Sequence, residues 1–462
     1  MSHRSFRLWS PLAGRLSALA LSAAVLAPTG VAWSQEGPVL MPMRAFVNYE
    51  FGQIEGGTTN DAKDIKELIS HAAVWTLHEA RLHEHARVRF GVGGAYFFVS
   101  PRNIGSNPYS HSKRSAVGLT EAHGEFDIAK SGDDMLLQLK AGVFGYKYNP
   151  DAKNLGEYMF RTWTYPNIIT TGGLEFINSA GAQLTGLAAI TRVAGLKNEL
   201  MLTIETDRPP VFGLSLTDIV SYDVGGLLEV GAGFMFNNFY NPDPDQVTPK
   251  DGDNSYYTLS DGRKVSAGRY DYEVQNGVLD PLLVTPTDTG YYTFAGQKVM
   301  VRAALNLGKI TPVPGIGPND FKVYGEAILL GLKDYPTYYE KIEDRMVYMA
   351  GVNLPTFGIL NLLSVEAEYA PNPFENSTEG PLTQASATPF VGDAWGSYQP
   401  YNDDNIKWTV HARKDVYPGF SIYAQVANDH IRMLDVFSTP DFREFMQDKK
   451  NFYWAFKLAY SL

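Results

Sequence analysis

The chain ends on an unbroken alternation. Phe452, Trp454, Phe456, Leu458, Tyr460 and Leu462 share one parity, and Tyr453, Ala455, Lys457, Ala459 and Ser461 share the other. Side chains of a strand point to opposite faces at period two, so this stretch reads as a β-strand with one broad aromatic face and one small or polar face. The aromatic face must be covered by a second layer or stand against lipid. The other face must meet water or polar groups.

The start of the chain is built for export. Arg4, Arg7 and Arg15 give a basic region, 16–28 an apolar core, and Ala32-Trp33-Ser34 the small residues a signal peptidase reads. We therefore expect a signal peptide over 1–34, cleavage between Ser34 and Gln35, and one domain over 35–462. The apolar core falls short of the roughly 20 residues a spanning helix needs, and no later apolar run reaches that length. Helical spans are thereby excluded. The formal net charge is −11, and losing the leader arginines makes it more acidic, which argues against a nucleic-acid partner. With no cysteine in the chain, disulfides and thiolate metal sites are unavailable. The 27 tyrosines, 25 phenylalanines and 43 glycines suit aromatic girdles and curved strands.

Between the two ends the same alternation returns in segments that predict strands near 43–54, 71–82, 86–99, 115–130, 134–148, 180–193, 197–207, 214–223, 226–238, 292–307, 320–333, 344–353, 361–370, 404–414, 419–430 and 450–462. In the first, Val47, Tyr49 and Phe51 face out and Arg44, Asn48 and Glu50 face in. In the third, Val88, Phe90 and Val92 oppose Arg87 and Arg89. The second is the least regular, because Trp75 and Leu77 share a face with Glu79 and Arg81. Connections mostly alternate between short (130–134, 194–195, 224–226, 415–418) and long (100–114, 149–179, 239–291, 371–403, 431–449). The stretch Thr311-Pro312-Val313-Pro314-Gly315 is long on the side that should be short.

Strands of this kind, long and short connections in alternation and an aromatic closing strand resemble Gram-negative outer-membrane β-barrel proteins, and the architecture is similar to sixteen-stranded porins. That family usually ends in Phe; this chain ends in Leu462. The resemblance implies an all-β transmembrane antiparallel barrel of about sixteen strands, with 14–18 allowed, long external loops and one loop folded into the lumen. It also implies outer-membrane lipids and lipopolysaccharide as surroundings, recognition of the C-terminal strand by the barrel-assembly machinery, and a homotrimer as an assembly.

The insertion 149–179 follows the fifth strand, where sixteen-stranded porins fold a loop inward. Its Tyr158, Met159, Phe160 and Trp163 would be costly to leave exposed, and Ala152 to Arg161 could form a short helix with Asp151 at its N-terminus. Asp151, Glu157 and Arg161 are the expected constriction charges, with Arg44, Arg87, Arg89, Lys407 and Arg413 on the opposing wall. Further inward acids are Glu121, Glu125, Asp127, Glu229, Glu326, Glu366 and Glu368. Segregated charge across a water-filled lumen would orient polar solutes; a plugged lumen in which these charges only pair with one another is the alternative.

Other chemistry is weaker. His78, His83 and His85 miss the i, i+4 spacing of a helical zinc site, and a solvated turn explains them. Asp243, Asp245, Asp251 and Asp253 offer hard oxygens for calcium without a bidentate Glu at the required spacing. No Gly-x-Ser-x-Gly occurs, although a barrel lipase could draw on His123 or His411. No metal or cofactor is expected. The expected function is an outer-membrane porin-like channel for passive diffusion of small polar solutes or ions, not an enzyme. A surface adhesin or structural barrel, and a barrel lipase, are the alternatives. The closing strand adds one expectation: a charge at Phe456 should cost far more than one at Ala455.

Overall fold

In the computed structural model, residues 38–462 are described except 60–61, 67, 98–113, 133, 164–167, 174–181, 207–209, 242–247, 250–255, 259–263, 267–285, 288–290, 311–314, 318–319, 333–338, 340, 380–381, 383–403 and 433–443. The leader, its cleavage site and the four loop aspartates therefore lie outside the described residues.

Sixteen strands form one closed antiparallel barrel. They are β1 (Arg44–Glu55), β2 (Leu68–His83), β3 (Ala86–Phe97), β4 (Arg114–Ser131), β5 (Asp134–Tyr146), β6 (Ala182–Val193), β7 (Leu196–Ile204), β8 (Leu214–Val224), β9 (Leu228–Tyr240), β10 (Gly296–Asn306), β11 (Lys322–Leu329), β12 (Met346–Asn353), β13 (Leu362–Tyr369), β14 (Ile406–Tyr417), β15 (Phe420–Asn428) and β16 (Phe452–Ser461). Each pairs with its neighbours in sequence. The first and last close the ring in a register running from Phe46↔Ser461 to Glu55↔Phe452. Closure leaves no strand edge with unpaired backbone groups, and a two-residue strand, Val39–Leu40, adds to β2 at Arg81 and Ala80.

The alternation read from the sequence is the in/out pattern of the wall. On β1, Val47, Tyr49 and Phe51 are exposed while Asn48 and Glu50 are buried; on β16, Phe456 and Tyr460 are exposed while Tyr453 and Ala455 are buried. The irregular second strand resolves the same way. Leu77 is buried on the inner face, and Trp75 stacks on Phe46 with ring centroids 5.1 Å apart, so apolar and charged residues share the lumen side there.

Tight turns sit at the end of the barrel that carries the C-terminus. At Ala194-Gly195 both residues have positive φ, 49° and 84°, the backbone of a type I′ hairpin turn whose twist matches the flanking strands. A Cβ at Gly195 would lie 2.8 Å from the Asp223 carbonyl oxygen, so glycine is required by space as well as by φ. The turn after β14 is shorter than expected, because that strand runs on to Tyr417 and leaves only Pro418 and Gly419. The connection 307–321 is long as read, and opens with a helical turn, Leu307–Ile310.

Candidate functional site

Two buried carboxylates of the wall hold the segment after β5 inside the barrel. Gly156 and Glu157 adopt φ of 95° and 62°, and successive left-handed residues turn neighbouring N–H groups toward one point, an anion-binding concavity. There stands Glu326 of β11. It accepts the N–H of Glu157 at 3.1 Å and of Tyr158 at 3.0 Å, the Tyr148 hydroxyl at 2.5 Å and the Asn149 amide at 3.1 Å. Glu366 of β13 accepts the N–H groups of Lys153, Asn154 and Leu155 at 2.6, 2.9 and 3.0 Å, and the Tyr324 hydroxyl at 2.8 Å. A buried carboxylate is tolerable when its lone pairs are filled in this way. Going the other way, Lys298 of β10 donates to the carbonyls of Met159 and Thr162 at 3.1 and 2.8 Å.

The expected helix over 152–161 is absent. Its N–H groups are spent on wall carboxylates, and one turn remains, closed by Arg161 N–H to Glu157 carbonyl at 3.2 Å. Around these anchors the segment packs as a core. Leu155, Tyr158 and Met159 are fully buried with Met201, Ile219 and Met300 of β7, β8 and β10. A Cβ on Gly156 would come within 2.7 Å of the Met349 methyl group, so the segment lies directly on the wall.

A second inward structure locks the first. His430 lies between Glu368 at 2.7 Å and Glu444 at 2.6 Å. Burial pushes its pKa down, but the two carboxylates, Glu368 foremost, outweigh that and hold it up at about 9. Asp429 accepts from the Asn154 amide at 2.6 Å, the Tyr453 hydroxyl at 2.7 Å and the Gly173 N–H at 2.9 Å. Asn376, before β14, accepts the Ile169 N–H and donates to the Ile169 carbonyl, both at 2.9 Å, so the segments before β14 and before β16 both reach the segment after β5 through side chains.

The wall of β2 to β5 carries charge instead. Glu125 receives Arg87 at 2.6 Å, Lys140 at 3.2 Å and Arg89 at 3.8 Å. Arg89 also meets Glu79 at 3.0 Å. The acid is deeper than its bases: the Glu125 side chain is 6% exposed, against 33% for Arg87 and 29% for Arg89. Ion pairs built this way turn a basic surface to the lumen.

The expected constriction residues are split among these regions. Asp151 and Glu157 are buried; their cationic neighbours are Lys322 at 2.7 Å and Lys147 at 3.8 Å, not the arginines of β3. Arg161 is buried and donates to the Asn154 carbonyl at 3.5 Å. Burial pushes the Glu157 carboxyl up to about 7. Lys407 does not face open lumen: it is fully buried, with Glu444 at 2.5 Å and the Met446 carbonyl as partners. Arg44 is exposed at the start of β1, and Arg413 pairs with Asp415 at 3.0 Å near the turn end. Sequence reasoning named Glu326, Glu366 and Glu368 as inward acids but not as anchors, and missed Asp429, His430 and Glu444. The inward Ser364-x-Glu366-x-Glu368 run was a usable signal, because three polar groups in a row on one strand face need partners.

The other candidates keep local partners. The rings of His83 and His85 lie 5.5 Å apart and tilted by 41°, at the end of β2 and in the turn after it. His123 contacts Glu121 and Glu125, and His411 contacts Gln425 at 3.0 Å; none of these three partners is a serine.

No protein-family model matches the chain, and no curated protein matches it. Solved structures that resemble it include engineered variants of the porin of Rhodopseudomonas blastica. Two of them align over 92% of this chain and 100% of their own at 8% identity, with TM-scores of 0.42 and 0.40. A likeness of that size carries no argument about function, so the architecture rests on the strand pairing itself. By that pairing the chain is an all-β protein, closed into one barrel by sixteen antiparallel strands.

Proposed function

We propose that the protein is an outer-membrane channel, exported by the leader 1–34, through which small polar solutes or ions diffuse passively, with anions favoured. The observation that carries this is the basic, partly exposed surface of Arg87, Arg89 and Lys140 on the inner wall. Inward-facing charge that stays partly exposed needs water beside it, and a basic lining lowers the barrier for anions. The described residues of the segment after β5, 147–163 and 168–173, narrow the lumen by filling the half bounded by β7 to β13. In this reading lipid and lipopolysaccharide surround the exposed apolar face, and the closing strand is the assembly signal. No bond-making chemistry is part of it.

Conductance of the purified protein in a planar bilayer tests the proposal. Discrete channels with a reversal potential displaced toward the anion are expected. A silent bilayer in the presence of folded, inserted protein would remove the channel.

A further inference from the structure

Among the described strand residues, one acid faces outward in the middle of a strand. Thr217 and Ile219 of β8 are buried on the inner side, and Asp218 between them is exposed on the outer side. It stands opposite Leu200 on β7 and Phe234 on β9. Around it the outer surface is apolar, with Leu187, Leu200 and Tyr222 all exposed. Its hydrogen bond comes from the Asn198 amide at 2.7 Å, also on the outer face. A carboxylate can accept about four hydrogen bonds, and hydrocarbon supplies none. Other mid-strand acids, Glu50, Glu125, Glu326 and Glu366 among them, point inward to partners.

We propose that β7 and β8 are the docking face for a second copy of this chain. The proposal rests on the membrane-barrel reading above, since only against lipid does an outward carboxylate call for cover. The Asn198–Asp218 pair is self-complementary, a donor beside an acceptor. Two copies related by a two-fold axis parallel to the barrel axis can therefore set each amide toward the other's carboxylate, the isologous arrangement in which one patch serves both partners. The second N–H of each amide and the remaining lone pairs of each carboxylate fill the new bonds. A three-fold ring would instead join two different faces, leaving this pair without that match.

The chain has no cysteine, so single cysteines report the contact directly. Leu200→Cys places a thiol beside Asp218, and Val74→Cys places one on the outer face of β2, five strands away from β7. Each variant is reconstituted into phosphatidylcholine liposomes at low protein density. Flotation and the heat-shifted gel mobility of a folded barrel are read first, and a mild oxidant is then added. A disulfide-linked dimer is expected from Leu200→Cys and not from Val74→Cys. Adding Asp218→Leu should reduce the dimer several-fold, while Asp218→Asn, which keeps the hydrogen bond, should retain it. Folded, floating protein that gives no dimer at residue 200, equal dimer at both positions, or a dimer indifferent to Asp218→Leu overturns the docking face and leaves the barrel reading standing. Protein that does not float overturns the barrel reading and the docking face with it.

Discussion

The two halves of the lumen are lined by the same kind of strand and solve opposite problems. Along β7 to β13 the inner wall mixes apolar and polar residues, and two of its acids, Glu326 and Glu366, bind backbone N–H groups of an inserted segment. Along β2 to β5 the inner wall is charged, and its acids bind side-chain bases. Glu366 and Glu125 have comparable burial, 0% and 6% exposed, yet one fastens a plug and the other raises a basic surface. A carboxylate satisfied by backbone fixes the chain that supplies it, because the donors cannot rotate away. A carboxylate satisfied by arginine and lysine leaves long side chains standing in water.

The largest effect is expected where the plug is fastened. Glu366→Leu with Glu326→Leu leaves four buried N–H groups and one part-buried one without acceptors, each buried one costing ~1–3 kcal/mol. The segment should leave the wall, expose Lys153 and Arg161 to trypsin, and raise conductance to the value reached by shortening 149–179. An unchanged digest would show that apolar packing alone holds the plug.

Next comes the closing strand. A charge at the lipid-facing midplane costs about 2–4 kcal/mol, so Phe456→Lys should lower the unfolding free energy by that much. The expectation that Ala455→Lys would be far milder does not survive the structure. Ala455 is 1% exposed and belongs to a cluster with Phe445 and Met446, so both lysines should be costly while Ala455→Ser is tolerated. Tolerance of Ala455→Lys would mean that the segment before β16 is not seated under the strand.

Glu157 gives a pH dependence confined to the plugged half. Its carboxyl is raised from 4.5 to about 7 by burial, so the docked segment binds a proton that a released one gives up. Docking is then strongest below about 4.5, weakens as pH rises to about 7 and is level above, a span of about 3 kcal/mol at most. Protease protection of the segment should follow that curve in the parent and become flat in Glu157→Gln. A curve that rises with pH would reverse the assignment.

The smallest effect on stability is expected on the charged wall. Arg89→Ala removes a partly exposed ion pair worth up to about 1 kcal/mol, but should shift the reversal potential toward cations. Glu157→Lys, in the buried plug, should shift it less and destabilise docking more. Equal shifts would place Glu157 at the pore surface after all.

The barrel was legible in the sequence because each strand reports its own two faces. The count of sixteen and the ring closure follow from local alternation, and strand ends were off by only a few residues. The inner site was much less legible. That the segment after β5 folds inward could be argued from its buried-type aromatics, but the partner of Asp151, Lys322, and the acceptor of the Glu157 N–H, Glu326, come from a strand 169 residues or more away. Lys407 looked like any inward base of a wet lumen; its burial depends on Glu444 and Met446, in a segment that reads as a loop. Backbone N–H groups have no sequence signature, so the roles of Glu326 and Glu366 could not be told from those of Glu121 or Glu125.

The claim that one half of the lumen is filled and the other is wet has a direct test in a chain without cysteine. Single thiols at Arg89 and at Tyr324, both on inward faces, can be exposed to a charged, water-soluble thiol reagent in reconstituted protein. The account predicts rapid modification of Arg89→Cys and protection of Tyr324→Cys, with protection lost when Glu326→Leu and Glu366→Leu are added. Equal rates at the two positions in the parent background would contradict it.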